Sequence, residues 1–174
     1  EKDLNHNTIK SAAEKLKAEG AKVFVASEAF GVDDMSAEKE IYDVTKGEMG
    51  METSIASDIT KLYGLTRRTR TAAINASILP KMLNTANQTE GVKVPLMIMR
   101  GDGGVMEINE MKKRPVLTML SGPAASVMGS LMYLRASNGV YFEVGGTTTN
   151  IGVIKNGRPA IDYSVVGGHR TYIT

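Results

Sequence analysis

The chain has 174 residues, 42% hydrophobic and 23% charged, a balance that suits a globular protein of one ordinary domain or parts of two. A formal net charge of +2 argues against nucleic acid or an anionic membrane surface as partner, and the absence of cysteine excludes disulfides, thiolate zinc sites and a cysteine nucleophile. No apolar run approaches the roughly 20 residues that cross a bilayer, and no basic-then-apolar leader opens the chain. A cytoplasmic location is therefore expected, and the sequons Asn75-Ala76-Ser77 and Asn87-Gln88-Thr89 read as chance matches.

The spacing of Ile9, Ala12, Ala13 and Leu16 predicts a helix over 8–19, capped by Asn7 or Thr8 and ended by Gly20. Val23-Phe24-Val25-Ala26 is a short apolar run of the kind that forms a buried parallel strand. Asp33, Asp34 and Ser36 offer caps for a second helix over 36–46, with Ile41 and Val44 inward and Gly47 and Gly50 closing it. Residues 51–56 predict a further strand, and this order is the grammar of an α/β layer.

A long helix is expected from Leu65 to Asn87, with a stripe of Ile74, Ile78, Leu79, Met82 and Leu83, and with Pro80 kinking or dividing it. Arg67, Arg68 and Arg70 crowd its start, where the helix dipole disfavours cations. A solvated helix end is the plain reading, and a partner carboxylate or anion the sharper one. Val94 to Met99 predicts a strand, with Pro95 near its start, and Gly101-Asp102-Gly103-Gly104 a turn that Asp102 shapes. Ser121-Gly122-Pro123 should open the next helix, with Ser121 as its cap. Ala124, Val127, Met128 and Leu131 would form its buried face up to Ser137, and Gly129 implies close packing. Met97, Met99, Met128 and Met132 read as fillers of core gaps. From Gly139 three short strands follow, Val140–Val144, Thr149–Ile154 and Pro159–Val165, with an Asn156-Gly157 hairpin turn between the last two.

The stretch from Phe142 to Gly152, Phe-Glu-Val-Gly-Gly-Thr-Thr-Thr-Asn-Ile-Gly, carries the most chemistry. Gly145 and Gly146 let a ligand approach the backbone without a Cβ in the way, and exposed N–H groups in such a turn form an anion-binding nest. The hydroxyls of Thr147 and Thr148 add donors for phosphate oxygens. Glu143 points toward the same place from the first strand and is suited to hold a water of a metal ion. A Gly-Gly turn between Thr-rich strands is equally what a plain hairpin looks like. No Walker motif occurs, and His6 and His169 are too few to suggest a zinc site.

This stretch resembles the Asp-x-Gly-Gly-Thr-(Ser/Thr)-Thr-Asp phosphate loop of the hydantoinase/oxoprolinase family. Ser121-Gly122-Pro123-Ala124-Ala125-Ser126-Val127 resembles that family's Ser-Gly-Pro-Ala-Ala-Gly-Val element. Met97-Ile98-Met99-Arg100-Gly101-Asp102-Gly103-Gly104 resembles its strand and Asp-Gly-Gly turn, and Arg68-Thr69 with Asn75-Ala76 its Arg-Thr…Asn-Ala helix. These motifs cover about 68–152 in the family's order. The likeness weakens before residue 60, where Asp33 to Glu38 replace an Asn-Pro…His-Glu element.

The resemblance implies an internal piece of the A-type subunit of an ATP-dependent hydantoinase, within an actin-like ATPase fold of two ribonuclease-H-like domains. Residues 1–136 would end the first domain with a connector helix, and 137–174 would open the second. The first domain's own phosphate loop would precede Glu1, and a start at Glu rather than Met fits an excised segment. The family's chemistry uses ATP to open a cyclic amide or imide, by phosphorylating the amide oxygen, with a second hydantoinase-type subunit or domain as partner. Gly145, Gly146, Thr147 and Thr148 would bind the ATP phosphates. Glu143 and Asn150 would be the catalytic and Mg²⁺-orienting pair. Both depart from the family's acids: Glu143 is one methylene longer than Asp, and Asn150 keeps an oxygen without the charge that Mg²⁺ prefers. A non-catalytic actin-like ATP-binding module is the rival reading.

Overall fold

The computed structural model describes residues 4–89, 91–135 and 137–174, so the expected last residue of the first unit, Ala136, lies outside the described residues, as does Glu1. Strands β1 (Val23–Ala26) and β2 (Glu52–Ile55) pair in parallel, Val23 opposite Glu52 and Ala26 opposite Ile55. Parallel neighbours need a crossover. Here α2 (Ser36–Tyr42) runs straight into a π-helical turn, Asp43–Glu48, which supplies it. Helix α1 (His6–Ala18) packs on α2 and that turn, whereas α4 (Leu65–Gln88) packs on both strands.

Local hydrogen bonds move several expected boundaries. α1 begins earlier than its apolar spacing indicates, because Asn5 rather than Asn7 or Thr8 caps it. The Asn5 side chain accepts from the Thr8 N–H at 3.0 Å, and the Thr8 hydroxyl accepts from the Asn5 N–H at 3.1 Å, a reciprocal capping box. At α2 only Asp34 bonds the helix start, accepting the Ser36 N–H at 2.9 Å. That bond holds its carboxyl below the ordinary carboxylate value.

Helix α4 is continuous over 24 residues. Pro80 does not divide it: the ring sits on the exposed side, where the missing donor is tolerated. Of the expected apolar stripe only Leu79 is fully buried. The first turns instead bury Arg68, Thr71 and Asn75, because these side chains satisfy backbone groups of the loops packed around them. Asn75 donates to the Ser54 hydroxyl at 2.9 Å and to the Lys113 carbonyl at 3.2 Å, and accepts from the Val116 N–H at 3.0 Å. So placed, it is closed to any modification of the folded chain. Arg67 and Arg68 are likewise not a solvated helix end. Arg68 is fully buried and donates to the carbonyls of Glu28, Ala29 and Leu62.

After α3 (Ala56–Ile59) and α4 comes an antiparallel hairpin, β3 (Met97–Met99) and β4 (Val105–Glu107), then α5 (Ile108–Lys113) and a 3₁₀ turn, Pro115–Thr118. β3 is shorter than the apolar run from Val94, since Pro95 lies outside the ladder. Met106 and Met111 are the buried methionines beside it, while Met97 and Met132, expected as core fillers, are exposed. Helix α6 (Ser121–Leu134) starts at the Ser-Gly-Pro sequence as expected. Leu120, in a left-handed conformation, occupies the cap position, and Ser121 is already helical. The close packing expected at Gly129 occurs elsewhere: a Cβ on Gly129 would meet nothing within 4 Å, but one on Gly152 would lie 2.9 Å from Val127 of α6.

That contact seats a three-stranded antiparallel sheet on α6, formed by β5 (Gly139–Val144), β6 (Thr149–Lys155) and β7 (Arg158–Pro159). Asn156 and Gly157, with φ of 53° and 71°, make the tight turn between β6 and β7. The third expected strand is broken. Val165–Val166 (β8) instead pairs with His169–Arg170 (β9) around Gly167-Gly168. The chain then returns to α4. Tyr172 N–H donates to the Thr71 hydroxyl at 2.9 Å, Arg67 Nε donates to the Thr171 carbonyl at 2.7 Å, and the Arg67 guanidinium lies 4.5 Å and 4.1 Å from the rings of Tyr163 and Tyr172. Ile173 completes a core cluster with Ala56, Ile59, Ala72 and Val116. Among the described residues no helix is long and apolar enough to cross a membrane.

Two outcomes are expected. Asn75→Ala leaves a buried N–H and a buried carbonyl without partners, at about 1–3 kcal/mol for each unsatisfied group. A urea titration should therefore show a loss of about 2 kcal/mol or more, against less than about 0.5 kcal/mol for the exposed Asn87→Ala. His6 is raised above its ordinary pKa, first by its hydrogen bond to Glu48. A raised histidine favours the folded state below its unfolded pKa, and the contribution is lost as pH rises through the folded value. Glu48→Gln should move the His6 NMR titration midpoint downward.

Candidate functional site

The register of β5 and β6 sets the geometry of the glycine-threonine turn. Glu143 stands opposite Asn150 and Val144 opposite Thr149. The Gly145 N–H donates to the Thr148 carbonyl at 2.9 Å, which leaves Gly146 and Thr147 at the tip. Gly145 through Thr148 are all exposed. A Cβ added at Gly146 would meet no atom within 4 Å, so protein packing does not demand glycine there.

Directly opposed residues of an antiparallel pair share a face. Glu143 and Asn150 therefore lie on the face of Tyr141 and Gly152, the one that packs on Val127 of α6. Val140 with Val153, and Phe142 with Ile151, lie on the other face and are exposed. Glu143 and Asn150 are half-buried, and the Asn150 amide donates to Glu143 Oε2 at 3.1 Å. This bond orients both side chains and leaves Glu143 Oε1 and the Asn150 amide oxygen for a further donor or a cation. Mg²⁺ takes six oxygen ligands and normally keeps several waters alongside phosphate oxygens. One carboxylate and one amide oxygen fit a part of such a shell. Among the described residues no group of three or more His, Cys, Asp or Glu side chains converges to hold a metal by itself.

Asp102 and His6 have structural roles. Asp102 shapes its turn as expected, accepting from the Gly104 N–H at 3.0 Å and from Arg100 at 2.6 Å. A cleft of about 210 Å³ opens between this turn, the start of α6 and β6, lined in part by Asp102, Pro123, Gly152 and Asp162. His6 pairs with Glu48, and His169 is exposed on β9. An apolar cleft of about 310 Å³ between α1, β1 and α2, lined by Ile9, Ala13, Leu16, Phe24 and Ile41, holds none of the residues that carry chemistry.

Sequence reasoning missed a polar network at the carboxyl ends of β1 and β2. Glu38 is fully buried and accepts the N–H groups of Glu28 at 2.9 Å and Ser57 at 3.0 Å. A Cβ on Gly31 would lie 2.6 Å from both Glu38 Oε1 and the Ser57 hydroxyl. The arginine run at the start of α4 was the available signal, since cations placed against a helix dipole need partners.

Comparison with known proteins agrees with this arrangement of elements. The family model for hydantoinase/oxoprolinase matches residues 68–174. No curated protein matches the sequence. Among solved structures, a nucleotide-free acetone carboxylase, from work on the mechanism of ATP-dependent acetone carboxylation, superposes with a TM-score of 0.74 at 20% identity over 98% of this chain. An ATP-dependent caprolactamase from Pseudomonas jessenii superposes with a TM-score of 0.70 at 19% identity over 87%. These likenesses show the fold. The chain spans 26% and 23% of the lengths of those two proteins. The family match runs from the buried Arg68 of α4 through α6 and the β5–β6 turn to the last residue, more than half of the sequence, and on that ground the chain belongs to the hydantoinase/oxoprolinase family.

Proposed function

We propose that the β5–β6 turn is one phosphate loop of an actin-like ATPase fold, and that the full-length protein is an ATP-dependent enzyme opening a cyclic amide or imide. The observation that carries this reading is the direct pairing of Glu143 with Asn150 across a turn whose glycine-threonine tip is exposed. Residues 1–136 then end a first ribonuclease-H-like domain and 137–174 open a second, with α6 as the connector. Nucleotide is held between the two domains, a second hydantoinase-type subunit or domain completes the enzyme, and the location is cytoplasmic.

Within this reading the backbone of Gly145 and Gly146 and the hydroxyls of Thr147 and Thr148 bind the phosphates. ATP supplies the phosphoryl group that makes an unreactive amide carbonyl open to attack by water. Fixed donors of this kind act by position and charge rather than by covalent chemistry. Glu143 and Asn150 orient Mg²⁺ or its waters, and the amide-to-carboxylate bond keeps both side chains aimed at one place. The pair carries a single negative charge, so its hold on Mg²⁺ is weaker than that of two acids.

Gly146→Val tests the loop. The open space around Gly146 lets the variant fold, while the branched side chain blocks approach of the phosphates. ATP affinity of the full-length protein should fall at least tenfold, about 1.4 kcal/mol, with the melting temperature unchanged. Equal affinity in the folded variant reduces the loop to a plain turn.

Asn150→Asp tests the metal assignment. The Mg²⁺ concentration needed for half-maximal ATP binding should drop about three- to tenfold, or about 1 kcal/mol. The gain should shrink when Glu143 is also replaced by Gln. Mg²⁺ titrations of the four combinations measure the coupling, and simple additivity would show that the two residues do not share an ion.

A further inference from the structure

Strands β8 and β9 form a sheet of their own, separate from β5, β6 and β7. Residues 160–164 link the two, so the hairpin hangs from the larger sheet rather than extending it. Its legs are tied together beyond the ladder. The Ser164 N–H donates to the Ile173 carbonyl at 2.6 Å, and the Thr171 N–H and hydroxyl donate to the Ser164 carbonyl at 3.0 Å and 2.8 Å. The closed loop over residues 164–173 docks on the first turns of α4. There the Tyr172 N–H donates to the Thr71 hydroxyl, the Tyr172 hydroxyl donates to the Tyr63 carbonyl, and Val166 and Ile173 pack into the cluster around Ala72.

Arg67 holds both legs of this hairpin at once. Tyr163 lies on one leg and Tyr172 on the other, and the guanidinium sits 4.5 Å and 4.1 Å from their ring centroids. The rings meet edge to face, 5.5 Å apart with planes at 83°, and make a corner that the cation fills. Its Nε donates to the Thr171 carbonyl at 2.7 Å. A cation in the first turn of a helix is opposed by the dipole, and here two ring faces and a carbonyl compensate it. Arginine suits the place, because its planar group stacks on rings while its N–H groups keep a fixed direction.

The β5–β7 sheet is thus joined to the elements before it at two places. One is α6, which touches β3 and carries the sheet through Val127 against Gly152. The other is the hairpin on α4. A body held at one place can swing in any direction, whereas a body held at two swings only about the line between them. Ligand clefts between domains commonly shut by such hinged rotation.

We propose that Arg67 is a clasp between the domains, and that it confines opening and closing of the nucleotide cleft to rotation about the line from α6 to the hairpin. The proposal rests on the reading of residues 1–136 and 137–174 as parts of two domains with nucleotide between them, and adds how those domains move.

The test uses the full-length protein with spin labels at Lys81→Cys on α4 and Lys155→Cys on β6, both exposed sites, in a background without other cysteines. Pulsed electron spin resonance gives the distribution of the distance between the labels, without nucleotide and with a non-hydrolysable ATP analogue and Mg²⁺. The parent should show a narrow distribution whose mean shifts with nucleotide. Arg67→Ala should widen the nucleotide-free distribution about twofold or more. Tyr163→Leu, which keeps apolar bulk without the ring, should do the same from the other side of the contact. The double variant should be no wider than either single one, since both break one contact. Arg70→Ala, exposed further along α4, should keep the parent width. Should Arg67→Ala not fold, Tyr163→Leu, whose side chain is 43% exposed, decides by itself. The clasp is overturned if a folded single variant keeps the parent width, even with a lowered melting temperature, as a merely local contact would, or if the double variant widens by the sum of the two. Failure of the two-domain reading shows separately, as a parent distance that nucleotide does not shift, and it takes the clasp with it.

Discussion

The buried guanidinium of Arg68 organises the first half of the molecule. Its two Nη groups donate to carbonyls that belong to two different loops, so a single side chain decides how the end of β1 sits against the entry to α4. Backbone carbonyls in a loop that cannot reach water must find donors, and a five-donor planar group serves several at once. Glu38 performs the complementary task for N–H groups, and Gly31 is required beside it because a Cβ would strike its carboxylate. The two ionisable groups do not pair with each other. Each is spent on backbone, one on acceptors and the other on donors.

α4 extends this role along its length. Thr71 accepts from the segment near residue 172, Asn75 joins β2 to the turn after α5, and Ala72 and Leu79 bury apolar surface between these polar positions. The helix face that touches most of the molecule is thus a mixture of small and polar residues. That explains why the apolar stripe alone located the helix but not its buried side. The second half of the chain uses a different device. There, α6 carries the β5–β6 hairpin through the Val127–Gly152 contact, and the hairpin's tip and one of its faces stay open.

Elements set by one strong local signal were legible in the sequence. The Val-Phe-Val-Ala run became β1, Ser-Gly-Pro opened α6, Asn-Gly turned β6 into β7, and the alternation around the Gly-Gly pair gave β5 and β6 with Glu143 and Asn150 in register. Family membership was legible too, because its motifs lie in one order over residues that the family model also covers. The starts of α2, α4 and α6 were legible as well, but the capping residues were not, since several adjacent Asn, Asp, Ser and Thr side chains compete for the same N–H groups and only geometry picks one, as Asn5 shows at α1. The fate of Arg67 and Arg68 was hidden for a different reason. Apart from the Leu62 carbonyl, six residues before Arg68, their partners lie some forty and one hundred residues away, where nothing in the local sequence announces a carbonyl or an aromatic ring waiting for a cation.

The return of the chain to α4 bears on how the protein is made. Tyr172 bonds Thr71 across 101 positions, and Ile173 fills the cluster around Ala72. Contacts so distant in sequence form late, because the intervening chain has to be ordered first. On the ribosome, α4 emerges long before residue 173, and until then Ala56, Ile59 and Ala72 lack part of their cover. The nascent chain therefore passes through a stage with its central helix partly bare, the stage at which a chaperone that binds apolar surface would find it.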